Sequence, residues 1–129
     1  MPSAPVTPPS YDIGGEVVTD NVTGLMWQRT LDPSPYIWSA AKTYCENLEL
    51  ASYSDWRLPT RIELVSLIAV DRQNPSIDTT AFPSTPNAMF WTASPMVGDP
   101  TVAWSVYFGY GGTGQSLVDL AGVRVRCVR

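Results

Sequence analysis

The amino-acid sequence predicts an α+β fold in which two helices pack on a twisted, mainly antiparallel sheet and one long loop is irregular. In the first half of the chain, apolar residues recur at helical spacing, and a capping-box sequence stands before a second apolar stripe. In the second half, short runs of alternating apolar and polar residues are separated by turn sequences, which is typical of strands. The 129 residues are enough for one ordinary domain.

A proline-rich segment and a hairpin are predicted at the start of the chain. Residues 1–10 contain four prolines, which predicts a stiff, extended linker to a single domain at 11–129. Two strands follow, at Glu16–Thr19 and Leu25–Gln28, and the Asn and Gly between them tolerate a positive φ. The pattern therefore predicts an antiparallel hairpin.

Two helices are predicted after the hairpin. The apolar positions of the first are Trp38, Ala41, Cys45 and Leu48. Their three- and four-residue steps predict a helix from about Tyr36 to Glu49. The sequence Thr60-Arg-Ile-Glu63 fits a capping box, so a second helix is predicted from Arg61 to about Val70.

A long loop and four strands are predicted in the rest of the chain. Beyond Asp71, about eighteen residues ending near Ala88 show no periodicity, and a loop of that length is usually functional or held by its own packing. The predicted strands are Met89–Ala93, Thr101–Phe108, Gln115–Leu120 and Val123–Val128, with the glycine-rich residues 109–114 as a turn. In the last strand, Arg124 and Arg126 share the face opposite the apolar one.

Composition and charge argue against several functional classes. Eight Lys and Arg against twelve Asp and Glu give a net charge of −4, the wrong balance for binding a nucleic-acid backbone. The most apolar stretch, 62–70, is interrupted by polar residues and is too short to cross a bilayer. The sequence has no histidine, which removes the Ser-His and Cys-His nucleophile pairs and the commonest zinc and iron ligand sets. We therefore expect no catalytic residue, metal site, cofactor, nucleic-acid partner or membrane insertion.

The two cysteines, Cys45 and Cys127, are 82 positions apart, which fits neither a metal knuckle nor a redox Cys-x-x-Cys pair. Both lie on predicted apolar faces, one on the first helix and one on the last strand, so they can meet in the core. A bond that closes a loop of this length would stabilise the fold by about 4.5 kcal/mol. Because such bonds persist in oxidising compartments, a disulfide would indicate that the protein is exported. Two buried thiols in a cytosolic protein are the alternative.

Several motifs resemble one known family. They are Val18-Thr-Asp-Asn-Val-Thr-Gly-Leu-Met-Trp-Gln-Arg29, Tyr44-Cys-Glu-Asn-Leu48, Asp55-Trp-Arg-Leu-Pro-Thr60 with Glu63-Leu64, Phe90-Trp91 and Val123-Arg-Val-Arg-Cys-Val-Arg129. In order and spacing they resemble the C-terminal domain family of collagen-like bacterial adhesins (Lcl type), long a domain of unknown function. The resemblance runs from about Tyr11 to Arg129. It implies a C-type-lectin-like fold with adjacent termini and a disulfide from the first helix to the final strand.

The run Trp-Arg-Leu-Pro-Thr also resembles formylglycine-generating enzymes, which share that fold. Those enzymes resemble one another in a reactive cysteine pair, whereas Cys45 and Cys127 occupy scaffold positions. Related iron enzymes need histidines, which this sequence lacks. The resemblance therefore carries no catalytic activity to this chain.

Basic and oxygen-bearing side chains are the first candidate ligand contacts. Adhesin relatives are associated with sulfated polysaccharides, so the resemblance suggests that Arg124, Arg126 and Arg129 bind a polyanion. A solvated strand face would explain the presence of these three arginines about equally well. The calcium-binding triplets of lectins, Glu-Pro-Asn and Gln-Pro-Asp, do not occur. Three residues of the long loop, Asp71, Asn74 and Asp78, could supply oxygen ligands to calcium. Turn formation by their own side chains is the alternative for these three.

Aromatic residues of the second half are the other candidates. We expect Tyr107, Tyr110 and Asp99 near one edge of the sheet, where aromatic rings can stack on a sugar and the carboxylate can bond its hydroxyls. Trp91 joins this set because the pattern does not fix its burial. The other tryptophans, Trp27, Trp38, Trp56 and Trp104, fall on predicted core faces.

Two functional hypotheses follow. The first is an exported bacterial binding module, extracellular or at the cell surface, which recognises a glycan or protein on another surface. The second is a structural or assembly module, which forms a homo-oligomer within a larger surface protein and has no soluble ligand.

Overall fold

The computed structural model describes residues 10–30, 34–69, 73–83, 85–109, 111–120 and 122–129. The elements are β1 (Tyr11–Gly14), β2 (Val17–Asp20), β3 (Met26–Gln28), α1 (Trp38–Glu46), α2 (Arg61–Val65), β4 (Met89–Met96), β5 (Asp99–Tyr107) and β6 (Gly112–Leu117). They form two antiparallel three-stranded sheets and two short helices. The fold is therefore mixed α+β and mostly β, and the single predicted sheet is divided into two. Of the predicted linker, only Ser10 lies within the described residues.

The first sheet, in the order β1-β2-β3, contains the predicted hairpin. β2 and β3 pair antiparallel, with Val18 opposite Trp27. The turn between them is closed by Asp20, whose carboxylate accepts hydrogen bonds from the amides of Val22 and Thr23. β1, three of whose four residues are exposed, is not among the strands predicted from the sequence.

The second sheet, in the order β4-β5-β6, contains three of the four strands predicted for this half. β4 continues to Met96, beyond its predicted end at Ala93, since only Val97 and Gly98 separate it from β5. Gly98 has a φ of 84°, which suits a tight two-residue hairpin turn. β6 begins at Gly112, inside the predicted glycine turn, so Gly112 and Gly114 belong to the strand.

The segment 122–129, here called the C-terminal segment, lies between the two sheets. Its bonds reach β3 through a reciprocal pair between Met26 and Arg129, both of 2.9 Å, and reach β4 through the amide of Trp91 and the carbonyl of Arg124 at 3.0 Å. Only isolated bridges result, so the regular last strand predicted from the alternation is wrong. The C-terminal segment flanks β3, while Tyr11, near the start of the described residues, lies on β1 at the other edge of that sheet.

The first helix carries a disulfide. α1 is shorter than the predicted range 36–49, and its buried residues are Ala41 and Cys45. Cys45 and Cys127 are bonded, with their Cα atoms 5.5 Å apart, and neither has exposed surface. The predicted bond is confirmed, the alternative of two buried thiols is wrong, and α1 is tied covalently to the C-terminal segment.

The second helix begins with the predicted capping box. The Thr60 hydroxyl accepts from the amide of Glu63 at 3.3 Å, and the Glu63 carboxylate accepts from the amide of Thr60 at 2.9 Å. α2 ends at Val65 because the Ser66 hydroxyl bonds back to the helix and the next amides bond three residues earlier. The predicted end, Val70, lies outside the described residues. No helix in the described part of the chain is long and apolar enough to cross a membrane.

Two hydrophobic clusters occupy opposite faces of the second sheet. Phe90 and Val106 belong to the first cluster, together with Trp27. Trp91 and Ala103 belong to the second, together with both cysteines. Successive strand residues point to opposite faces, which is why the neighbours Phe90 and Trp91 fill different clusters.

The long loop is part of the core. Residues 73–83 and 85–88 form turns and bends without a helix or strand, as predicted. Ile77, Ala81 and Phe82 are nevertheless almost completely buried in the first cluster. The loop is thus held by its own packing, and these side chains are not free to contact a ligand.

Candidate binding site

The predicted sugar-binding residues are not brought together. Asp99 is the first residue of β5 and Tyr107 the last, and they pair with Met96 and Met89 at opposite ends of β4. At about 3.3 Å per residue, the length of β5 places them roughly 25 Å apart. Tyr110 lies outside the described residues. Asp99 and Tyr107 therefore do not form one site.

Trp91 and Asp99 both have roles within the fold. Trp91 is 0 % exposed, and its indole N–H donates to the carbonyl of Tyr36 at 2.7 Å, so no ligand can reach it. The Asp99 carboxylate accepts from the hydroxyl and amide of Thr101, at 2.6 and 3.0 Å. The Thr101 hydroxyl holds the pKa of Asp99 below its ordinary value. This carboxylate is engaged at the β4–β5 turn.

Arg126 is buried and cannot contact a polyanion. It is 0 % exposed, and its guanidinium donates to the carbonyls of Gln28 and Arg29 and to the hydroxyl of Thr85. The guanidinium also stacks on the ring of Phe82, 4.7 Å from its centroid. Burial lowers the pKa of Arg126 to about 9. The predicted solvated face is wrong for this residue, because the C-terminal segment is covered on both sides.

The other two arginines of the predicted basic cluster lie in different surroundings. Arg129 donates to both carboxylate oxygens of Asp55, at 2.5 and 2.9 Å, and stacks on Tyr53. Arg124 is half-buried beside β4. With Arg126 buried between them in the sequence, the three do not form one exposed basic surface.

Two of the three candidate calcium residues, Asn74 and Asp78, take part in turns. The Asp78 carboxylate accepts from the amides of Thr80 and Ala81, at 2.9 and 3.2 Å, which is an Asx turn. Asn74 has a φ of 56°, a turn conformation that Asn tolerates. Asp71 lies outside the described residues. Among the residues that the structure describes, no three His, Cys, Asp or Glu side chains are grouped to hold a metal ion.

A groove that the sequence does not predict lies between α2 and the second sheet. Its lining residues are Thr60, Arg61 and Ile62 at the start of α2, Ser94 and Pro95 of β4, and Trp104 of β5. We call it the Trp104 groove, and its volume is about 240 Å³. The guanidinium carbon of Arg61 lies 4.2 Å from the centroid of the Trp104 ring. An aromatic ring and a cation are therefore presented together, with hydroxyl groups beside them.

Bonds between α2 and β4 hold the Trp104 groove in shape. The amide of Arg61 donates to the hydroxyl of Ser94 at 3.1 Å. The amide of Ala93 donates to the carbonyl of Pro59 at 2.7 Å. Both bonds join residues at or just before the start of α2 to β4, so the two elements cannot separate here without breaking them.

An ion pair at α2 determines the charge of the Trp104 groove. Arg57 donates to both carboxylate oxygens of Glu63, at 2.6 and 2.7 Å. The Arg57 guanidinium holds the pKa of Glu63 below its ordinary value. Glu63 is thus committed to Arg57, and within the described ranges no carboxylate forms a salt bridge with Arg61. The groove therefore has positive character.

Apolar side chains surround the Trp104 groove. Ile62 is 82 % exposed, and Leu117 on β6 is 59 % exposed. Leu117 lies opposite Val102, which shares a strand face with Trp104. Apolar surface thus continues from the groove across the outer part of the sheet.

The sequence assigns Trp104 to the core because it alternates with Val106 and Phe108. The alternation is correct, but the core ends at Val106, and Trp104 is only half-buried. Its cross-strand neighbour Gln115 is exposed, but this pairing cannot be read from the sequence because it depends on where β6 begins. Trp27 and Trp56 are buried as predicted.

A second and larger groove, about 590 Å³, lies along α1 and the turn after it. We call it the α1 groove. Its polar lining residues are Ser39, Thr43, Asn47 and Glu49, and its other lining residues are Ala40, Tyr44 and Leu48. The two grooves have no lining residue in common.

A comparison with protein families places most of the chain in one of them. A family model described as the Lcl C-terminal domain matches residues 16–129. The match includes both helices, the second sheet and both cysteines. A comparison with curated proteins found no match.

Proposed function

Because the chain belongs to the Lcl C-terminal domain family, we propose that it is an extracellular binding module that attaches a larger bacterial surface protein to a glycan or protein on another surface. The proposal includes a C-type-lectin-like fold and a collagen-like adhesin as the parent protein. The disulfide supports export, because such bonds persist in oxidising compartments. The proposal assigns the chain no reaction, cofactor or nucleic-acid partner.

The observation that carries this proposal is the Trp104 groove. A pyranose ring has an apolar face of C–H groups, which packs on an aromatic ring, and a rim of hydroxyls, which need hydrogen bonds. Trp104 supplies the ring, and Arg61 and Ser94 supply polar groups beside it. A protein ligand would use the same residues, since Trp and Arg dominate the binding energy of many protein interfaces.

Binding measurements on matched variants test the proposal. We expect the domain to bind a subset of glycans on an array, and Trp104→Ala and Arg61→Ala to weaken that binding at least tenfold. Tyr53→Ala is the control, because Tyr53 is an exposed aromatic residue outside the groove. Circular dichroism of each variant separates loss of binding from loss of folding.

Two results would contradict the proposal. One is uniform binding across neutral and charged glycans together with no binding to host-surface proteins. The other is a Trp104→Ala variant that is folded and binds its ligand as tightly as the parent.

The second candidate function is assembly within a larger surface protein, and the exposed apolar surface favours it. Ile62 in the lining of the Trp104 groove is 82 % exposed and Val97 at the β4–β5 turn is 98 % exposed, and an assembly contact would remove such apolar side chains from water. Light scattering distinguishes the two functions. A stable oligomer that buries the Trp104 groove supports assembly, whereas a monomer with an accessible groove supports ligand binding.

A further inference from the structure

The α1 groove is a concave surface whose lining differs in chemistry from that of the Trp104 groove. We propose that it is a second binding site, separate from the Trp104 groove, and that it takes an uncharged, hydroxyl-rich ligand such as a neutral saccharide unit. The inference stands apart from the function proposed above, because no residue lines both grooves.

The rim of the α1 groove consists of exposed polar side chains. Ser39, Asn47 and Glu49 are exposed, and within the described part of the chain no hydrogen bond occupies their side-chain oxygen or nitrogen atoms. Thr43 differs, since its hydroxyl donates to the carbonyl of Ser39 at 3.1 Å. A hydroxyl, an amide and a carboxylate are therefore available together for hydrogen bonds to a ligand.

The floor of the α1 groove is apolar and half-buried. It is formed by Ala40, Leu48 and the ring of Tyr44. Tyr44 is fixed from two sides, by the ring of Tyr36 with centroids 5.1 Å apart and by Gln28, which donates to the Tyr44 hydroxyl at 2.8 Å. An apolar floor with a polar rim matches a sugar, which has an apolar face and hydroxyls at its edge.

The α1 groove is also held in a fixed shape. Cys45 follows Tyr44 in α1, and the disulfide joins it to the C-terminal segment. The amides of Asn47 and Leu48 bond back to Thr43 and Cys45, at 3.0 and 3.1 Å. A ligand would therefore meet side chains whose backbone is already ordered, which lowers the entropy cost of binding.

Charge decides which hydroxyl-rich ligands fit. Among the described residues of the lining, Glu49 is the only one that carries a charge. A carboxylate accepts hydrogen bonds from sugar hydroxyls but repels sulfate and other carboxylates. The α1 groove should therefore discriminate against polyanions, in contrast to the positively charged Trp104 groove.

Nuclear magnetic resonance titration of the ¹⁵N-labelled domain tests the proposal. The probes are neutral oligosaccharides ending in galactose, glucose, mannose or fucose, and the same oligosaccharides carrying sulfate. We expect at least one neutral probe to shift the amide signals of residues 39–49, and its sulfated form to bind at least tenfold more weakly. Asn47→Ala and Glu49→Gln should each weaken the neutral probe's binding about tenfold, the loss of one good hydrogen bond. Glu46→Gln is the matched control for binding of the neutral probe, because Glu46 is an exposed carboxylate at the end of α1 and is not among the described lining residues.

The failure of this inference is distinguishable from failure of the proposed function. No binding by any neutral probe, or shifts confined to Arg61, Ser94 and Trp104, would overturn the α1 site, and the second outcome would support the Trp104 groove. Equal binding by the parent and by folded Asn47→Ala and Glu49→Gln variants would also overturn it. Shifts at residues 39–49 that survive Trp104→Ala would establish the α1 groove as an independent site.

Discussion

Reduction of the Cys45–Cys127 disulfide should lower the stability of this domain more than any other single chemical change. The bond closes a loop of 82 residues. In the chain-entropy model, opening a loop of that length raises the conformational entropy of the unfolded chain and so lowers its free energy by about 4.5 kcal/mol. Small domains have a total stability of about 5–15 kcal/mol, so the bond accounts for roughly a third of that stability or more.

The expected change in melting temperature follows from the size of the chain. An unfolding entropy of about 2.1 cal/mol/K per residue gives about 0.27 kcal/mol/K for 129 residues. A loss of 4.5 kcal/mol then corresponds to a fall of about 17 °C. Thermal unfolding followed by circular dichroism, with and without reductant, measures this fall.

A cysteine-free variant and a hydrogen-exchange measurement make the disulfide experiment specific. The sequence contains only these two cysteines, so a Cys45→Ala/Cys127→Ala variant should melt near the reduced parent and should not respond to reductant. Hydrogen exchange should show early loss of protection at Met26 and Arg57, whose amides bond the C-terminal segment at 2.9 Å. A fall of less than about 5 °C would refute the reasoning, because it would mean that the bond does not restrict the unfolded chain as its loop length requires.

Two other predictions test the charges of the fold. Arg126→Met should lower the free energy of unfolding by about 3 kcal/mol in urea, since it leaves buried carbonyls without donors, whereas Arg129→Met breaks an exposed pair and should hardly change the urea midpoint. An unchanged midpoint for Arg126→Met would contradict its burial. Glu63→Gln can keep the capping bond but loses the ion pair, and should cost about 0.5 kcal/mol at neutral pH. Because the folded-state pKa of Glu63 is lowered, this contribution is present above its ordinary pKa of 4.5 and is lost as the pH falls through the folded-state value. Melting temperatures of parent and variant should therefore converge below that window, and a constant difference down to pH 2 would exclude the ion pair as the cause.

Local signals in the sequence predict the elements whose structure is determined locally. The β2–β3 hairpin depends on a turn sequence, and the start of α2 depends on Thr60 and Glu63, which are three residues apart. The hairpin and the capping box need only the chain's immediate neighbourhood, and the structure confirms both. The disulfide was predicted from the apolar positions of both cysteines and is also confirmed, although the strand predicted around Cys127 is reduced to isolated bridges.

Features that depend on distant neighbours were predicted poorly. Arg126 looks like a solvated strand residue by alternation, but Phe82 and Thr85 of the long loop cover it. Trp104 looks like a core residue by the same rule, but the cluster beneath its strand face ends at Val106. Alternation gives the face on which a side chain lies, and it cannot say whether another part of the chain covers that face.

The outer sides and ends of the two helices are surfaces that the two hydrophobic clusters leave open. The long loop is where a ligand would first be sought, but its residues Ile77, Ala81 and Phe82 are buried in the first hydrophobic cluster. The helices are short, and each covers the core with one side only, so their outer sides and ends stay open as the α1 groove and the Trp104 groove. Each helix is also anchored by a contact that most surface helices lack, α1 by the disulfide and α2 by its bonds to β4. A rigid surface of this kind loses little conformational entropy on binding, so a ligand of modest size can be held without a closing loop.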